Sequence, residues 1–335
     1  MSARQSGAAA GTMSWWRRFR GYQGRNLWYI AFFLPFLVGL ITFVYVPMVW
    51  SVGLSFFDAR NTITPTKFVG LANYQYLFGQ ELFRDSLLVF IVFAAFIVPV
   101  TYACSLGLAL LLQGARWGQA FFRSVFFIPT AVSYVIAAMV WRLSFFNGAR
   151  FGLANSLLRQ LGLENINWLG GTNYWYWFVV VSLRLWLQVG FYMILLIAGL
   201  NRIPQETYEA AAIDGATGWR RLRYITLPQL RPTTIAVLML LLIGAFQAFD
   251  EFYNLFGSIG SYPPYARPPL VHMYLISLGG AQQDLGVGGA ATVVITSLIV
   301  VFGLAQNWVL GRPDRLERKA QKAALKTAAD RAVTR

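Results

Sequence analysis

Glu209-Ala210-Ala211-Ala212-Ile213-Asp214-Gly215-Ala216, with Leu227-Pro228 further on, forms a polar island between two long apolar segments. Pro204 suits a first helical turn, where a missing N–H leaves no bond unmade. Glu206 and Glu209 sit near the positive end of the helix that follows. Ala210, Ala211 and Ala212 are strong helix formers and allow another surface to approach closely. Gly215 can adopt the left-handed conformation that ends a helix. Trp219, Leu222 and Ile225 then share one face, with Arg220, Arg221 and Arg223 around it. This second amphipathic piece is expected at the lipid headgroups, and Pro228 and Pro232 are expected to lead into the next span. An acid-led, alanine-rich helix on one side of a membrane is expected to dock a partner.

The membrane follows from composition. Of 335 residues, 57% are hydrophobic and only 12% are charged, against about 25% charged in soluble domains. The apolar residues fall in blocks of about 20, the length that crosses a ~30 Å hydrocarbon core. They lack the ~10-residue alternation of a membrane barrel. The chain therefore reads as all-α and polytopic, with six transmembrane helices at about 28–52, 87–112, 124–144, 175–199, 233–256 and 290–310. Pro35, Pro47 and Pro99 are expected to kink the first two. The single cysteine, Cys104, reads as a buried small apolar residue. The first apolar run is too long for a cleaved signal.

Residues 1–26 form a basic segment, with Trp15, Trp16 and Arg17 suited to the membrane surface. Residues 28–85 hold the first span and an external segment, 86–310 hold five spans, and 311–335 form a charged tail. The net charge of +15 lies in loops and tails, so membrane topology explains it and nucleic acid is not the expected partner. With the N-terminus inside, 20 of the 28 lysines and arginines lie on the cytoplasmic side. The positive-inside rule then makes both termini and the 201–232 loop cytoplasmic. Trp28, Tyr29, Tyr174, Trp175 and Trp177 are expected as interface anchors.

Glu209-Ala-Ala-x-x-Asp214-Gly215-Ala216, with Ile225-x-Leu227-Pro228 and Pro232, resembles the EAA loop of ABC importer permeases. Phe68-Val-Gly70-Leu71-Ala-Asn73-Tyr74 is similar to the external pre-helix of the carbohydrate-type branch. Phe122-Arg123 with Pro129, Gly152-x-x-Asn155-x-Leu157-Leu158, Leu200-x-x-Ile203-Pro204 and Gln247-x-Phe249-Asp250 extend the likeness over about 28–310. The chain departs from the pattern at Leu222, where relatives usually have Phe, and at Gly257–Pro264, where many have Gly-Gly-Pro. The resemblance implies the type-1 importer permease fold in a bacterial or archaeal inner membrane. It also implies a coupling helix in which Glu209, Ala210, Ala211, Asp214, Gly215, Leu227 and Pro228 engage an ATP-binding cassette subunit. ATP and Mg would be used by that partner. A second permease subunit and an external substrate-binding protein would complete the transporter, with a sugar or related polyol as cargo.

The spans carry a few polar residues of their own. Arg184 lies mid-span, where a charge costs about 2.5–3.5 kcal/mol on insertion scales, so it needs a partner or a wet cavity. Gln188 is one turn on. Gln247, Asp250 or Glu251, and Asn254 recur at helical spacing and are expected to form a polar stripe. These residues suit a sugar pathway. A structural salt bridge from Arg184 to Asp250 or Glu251 ranks above that reading, and the two roles can coexist. No G-x-x-x-x-G-K-[ST] loop occurs, so ATP hydrolysis is not expected of this chain. With one histidine, His272, in an outer segment and expected at the surface, no metal or triad chemistry is expected. An ion-coupled secondary transporter is the alternative reading, because Asp250 and Glu251 offer acids within the membrane. A membrane enzyme lacks a convincing set of catalytic groups.

Overall fold

The computed structural model describes residues 29–115, 117–149, 152–170, 174–257, 263–279 and 283–310. The basic segment 1–26, Trp28, the tail 311–335 and most of the departure after Gly257 lie outside the described residues. Helix α1 covers Tyr29–Leu54. A small hairpin follows, with β1 (Phe57–Asp58) antiparallel to β2 (Lys67–Phe68) and Phe57 opposite Phe68. Then come α2 (Ala72–Gly79), α3 (Glu81–Gly114), α4 (Gln119–Phe127), α5 (Tyr134–Val140) and α6 (Leu153–Gln160). Helix α7 covers Trp175–Leu200, α8 Gln205–Ile213, α9 Gly218–Arg221 and α10 Leu227–Phe246. The last three are α11 (Asp250–Phe256), α12 (Pro269–Ser277) and α13 (Leu285–Leu310).

Five of these helical runs are long and apolar enough to cross a membrane, and a bent pair supplies a sixth. That bears out an all-α six-span fold. The third span differs from the single helix expected at 124–144. It runs from Gln119 to Ala131, then turns by 94° into Tyr134–Phe145. Its backbone reason is local. Pro129 sits in a tight 3-10 turn, Ile128–Ala131, and the Ser133 hydroxyl caps the next helix by accepting from Val135 N–H at 3.3 Å. Spans two, five and six begin earlier than expected, at Glu81, Gly218 and Leu285. Apolarity marks the hydrocarbon, but helical hydrogen bonding continues beyond it. The 34 residues of α3 make a rod about 51 Å long.

The core is built by α3, α7 and α10. One cluster joins Phe90, Phe93 and Ile97 to Val180, Leu183 and Leu187, with Phe246 and Phe252 from span five. A second joins Ala109 and Leu112 to Met193, Leu196, Leu200, Leu230 and Leu241. A third packs Leu77 and Phe83 on Val287, Ala290 and Ala291. Lipid tails are as apolar as leucine, so close packing rather than water exclusion holds such helices together. Gly190 shows what this requires: a Cβ there would overlap the Phe126 carbonyl.

Two of the prolines follow π turns, while Pro99 and Pro232 lie within α-helix. Ile41–Tyr45 is one such turn, with Val46 N–H donating to Ile41 O, and Pro47 follows it. Leu222–Thr226 is another, with Leu227 N–H donating to Leu222 O, and Pro228 follows it. A proline ring clashes with the carbonyl four residues back; the wider turn relieves the crowding. The span expected from 233 thus starts earlier, as continuous helix through Pro228 and Pro232.

Outside the spans, side-chain amides organise the loops. Asn73 donates to the Ser55 and Phe57 carbonyls at 2.9 Å each. Buried Asn155 donates to the Ile166 carbonyl at 3.1 Å and accepts from Ile166 N–H and the Trp168 indole N–H. These explain two of the quoted asparagine motifs. Three expectations fail. Cys104 is exposed, because the outward face of a membrane helix is apolar too. Trp177 is half-buried and packs between Phe93 and Phe252 rather than anchoring. His272 is buried beside the Phe83 ring, at 5.6 Å.

Neither ring nitrogen of His272 has a hydrogen-bond partner among the described residues. Burial, aided by the Arg267 charge, pushes its pKa down to about 4. The unfolded chain takes up this proton first, near pH 6.5. Stability is therefore expected to be full above that pH and to fall as the pH drops toward about 4. Thermal unfolding in detergent across this range checks it, and His272→Leu should flatten that limb.

Candidate functional site

Span five is not one rod. Helix α10 ends at Phe246 and α11 starts at Asp250. Gln247 N–H bonds Ile243 O and Ala248 N–H bonds Ala245 O, so the Gly244 carbonyl is passed over. A buried carbonyl at a helix end needs a donor. The Arg184 guanidinium supplies it from α7: Nη2 donates to Gly244 O, Nη1 pairs with Glu251 and Nε donates to the Gln188 amide oxygen at 3.3 Å. The same guanidinium lies 5.3 Å from the Phe93 ring centre and 6.0 Å from that of Tyr134. Arg184 and Glu251 are both almost wholly buried. The cation thus meets the C-terminal end of α10 and the acid sits in the first turn of α11, each favoured by the local helix dipole.

Of the two acids open to Arg184, then, Glu251 is its partner, while Asp250 is exposed. The expected single stripe is broken. Gln247 lies exposed in the break, and Asn254 turns back to donate to the Asp250 carbonyl at 2.7 Å. Helical spacing across 247–254 fails because the helix itself stops there.

The bend in span three makes the nearest opening. Thr130 donates to the Leu187 carbonyl at 3.1 Å and Ser105 donates to the Val189 carbonyl at 3.1 Å. The Thr130 bond pins the bend to α7, and the Ser105 bond ties α3 to α7 beside Gly190. A cavity of about 220 Å³ results, lined by Thr130, Val132, Tyr134, Leu187, Gln188, Phe191 and Tyr192. Broken helices are tolerated in a membrane where they line such spaces. Of these residues only Gln188 was expected. Pro129 followed by Thr130 and Ser133 is the signal that could have found the rest.

The loop from Pro204 folds as two pieces. Helix α8 ends in a Schellman cap: Gly215 takes φ 75°, Gly215 N–H bonds Ala212 O at 3.1 Å and Ala216 N–H bonds Ala211 O at 2.8 Å. Glu209 is exposed and accepts from Gln205 at 3.0 Å. Ala210, Ala212, Asp214, Gly215 and Pro228 are also exposed, and Leu227 is half-buried. Ala211 differs from expectation: it is buried against the chain's own fold, since one face of any docked helix must pack inward. Ile213 is 87% exposed, a large apolar residue left uncovered. Tyr208 holds the helix to the next piece, with the Arg221 guanidinium 5.6 Å from its ring centre.

The family of binding-protein-dependent transport system inner membrane components matches this chain over residues 102–315. The chain belongs to that family. The permease is 33% identical over 281 residues to the trehalose/maltose transport system permease protein MalF of Thermococcus litoralis, covering 84% of this chain and 92% of the relative. It is 31% identical to the arabinooligosaccharides transport system permease protein AraP of Halalkalibacterium halodurans, covering 83% and 85%. Its fold matches a bacterial ABC transporter involved in import of the acidic polysaccharide alginate, with TM-score 0.77, 23% identity, and 88% and 99% of the two chains covered. The ion-coupled alternative gives way to membership in a binding-protein-dependent system.

Removing one partner of a buried ion pair strands the other charge. Glu251→Met or Arg184→Met alone is expected to cost about 3–5 kcal/mol, and the double variant less than the sum of the two, with the stranded Gly244 carbonyl setting a residual cost of about 1–3 kcal/mol. A double-mutant cycle of thermal stability in detergent measures both.

Proposed function

We propose that this chain is one half of the pore of an ATP-driven importer for a sugar or related polyol. The observation that carries this is the outward surface of α8. Glu209, Ala212, Ile213 and Asp214 are exposed together on a helix that the fold holds by its Tyr208 side. Small side chains let a groove approach closely, and the bare Ile213 calls for an apolar pocket in a partner. A separate ATP-binding cassette subunit, using ATP and Mg, fits that description. Its closure would pull α8, and the continuous helix from Gly218 would carry the movement into span five. Such a switch needs a partner that binds the two states with different energies.

The substrate reading rests on the bend in span three. Tyr134, Tyr192, Phe191, Gln188 and Thr130 present hydroxyls, an amide and aromatic faces, the mixture that sugars need. The relatives named for trehalose, maltose and arabinooligosaccharides support it. The cavity is open on one side, which suits a second permease subunit, and an external binding protein would deliver the cargo. The excess of lysine and arginine supports cytoplasmic termini and a cytoplasmic α8.

Glu209→Lys and Gly215→Val are expected to lower both ATPase co-purification and uptake of labelled maltose or trehalose by roughly tenfold or more, as loss of a central contact does. Uptake at the normal level without an associated ATPase would overturn the reading. Gln188→Ala should lower uptake while the ATPase stays bound.

A further inference from the structure

A second opening lies away from the substrate bend, beneath the coupling loop. It is a cleft of about 360 Å³ between the end of α3 and the loop, lined by Leu110, Gln113, Tyr208, Arg221, Leu222 and Thr226 among others. We infer that this cleft binds the phosphodiester headgroup of an anionic phospholipid of the leaflet that α8 faces. The inference rests on the proposed cytoplasmic placement of α8 only for which leaflet supplies the lipid.

Four observations carry it. Depth is the first: Leu110 and Gln113 belong to the last turn of a spanning helix, and Leu222 lies in the turn that leads into another. The cleft is therefore at the level of the headgroups. Chemistry is the second. Leu110 and Leu222 give it an apolar wall for glycerol and the first methylenes, while Gln113 and Arg221 offer N–H donors. Among the described lining residues the one charge is Arg221, and no carboxylate lines the cleft. Third, the flanks suit a membrane surface. Trp219 and Tyr224 are 69% and 67% exposed on either side of Arg221, and such aromatics concentrate at headgroups. Arg220 and Arg223 add positive charge, which draws anionic lipid. Fourth, Arg221 is preplaced: its guanidinium lies against the Tyr208 ring, and the Thr226 hydroxyl donates to its carbonyl at 3.4 Å. A planar fork so held offers paired N–H donors to phosphate oxygens.

The contact with Tyr208 gives the site a consequence. Tyr208 belongs to α8, so a phosphate on Arg221 bears on the helix proposed to carry the ATPase. Lipid at this cleft would help set the height of α8 above the membrane.

Native mass spectrometry of the transporter, purified through a tag on the full chain and placed in mixed phosphatidylglycerol and phosphatidylcholine, tests this. Wild type should retain phosphatidylglycerol selectively. Arg221→Gln should reduce that retention about fivefold, the effect of one interfacial arginine. Arg221→Lys should restore part of it, and Arg220→Gln should leave most of it. Equal losses from Arg220→Gln and Arg221→Gln would overturn the proposal, since the effect would then be diffuse surface charge. Displacement of the lipid by millimolar inorganic phosphate would overturn it in favour of a free-anion site. Unchanged lipid retention with loss of the ATPase from Arg221→Gln would overturn it in favour of a protein contact. Failure of the ATPase reading leaves the lipid measurement standing, because retention is read without ATP or transport.

Discussion

A single guanidinium holds the middle of this protein together. Arg184 lies where α10 has ended and α11 has not begun, and it serves both. A helix broken inside a membrane exposes backbone groups that lipid cannot satisfy. Here the arginine supplies the missing donor for Gly244, and Glu251 neutralises the cation that does so. Each group would be costly alone. Together they carry span five across its helical break, and they fix α7 to both halves of it.

The rest of the interior follows the same logic with weaker groups. Where span three bends, the Thr130 hydroxyl attaches to an α7 carbonyl, and Ser133 restarts the helix; Ser105 of α3 attaches to α7 in the same way. The bend and the break approach the same stretch of α7, between Arg184 and Gly190. Helix α7 is thus the uninterrupted member against which two interrupted spans are set, and the cavity is the space the interruption leaves.

Helix α8 and its cap were legible because their signals are local. Acids at the start, alanines and a left-handed Gly215 specify a capped helix without reference to anything distant. Span count was legible for the same reason, since crossing a bilayer depends on length and apolarity. The interruptions were not. Apolar residues look alike in straight and broken spans, and only Pro129 and the seryl and threonyl residues after it hint at the bend. Cys104 and His272 misled for a different cause. In a membrane protein an apolar position does not imply burial, and a polar one does not imply a surface. The Arg184 partner stayed open between two adjacent acids because its choice depends on which way α11 starts.

The π turn at Leu222–Thr226 carries one further implication. A π turn accommodates one surplus residue, and one residue of α-helix corresponds to about 100° of rotation. The facing of Trp219 and Arg221 relative to the core side of α10 is therefore set by that surplus residue. Loop and span keep separate phases, so the surface beneath the membrane can be reoriented by gaining or losing one residue while the buried packing of Leu230, Val237 and Leu241 stays as it is.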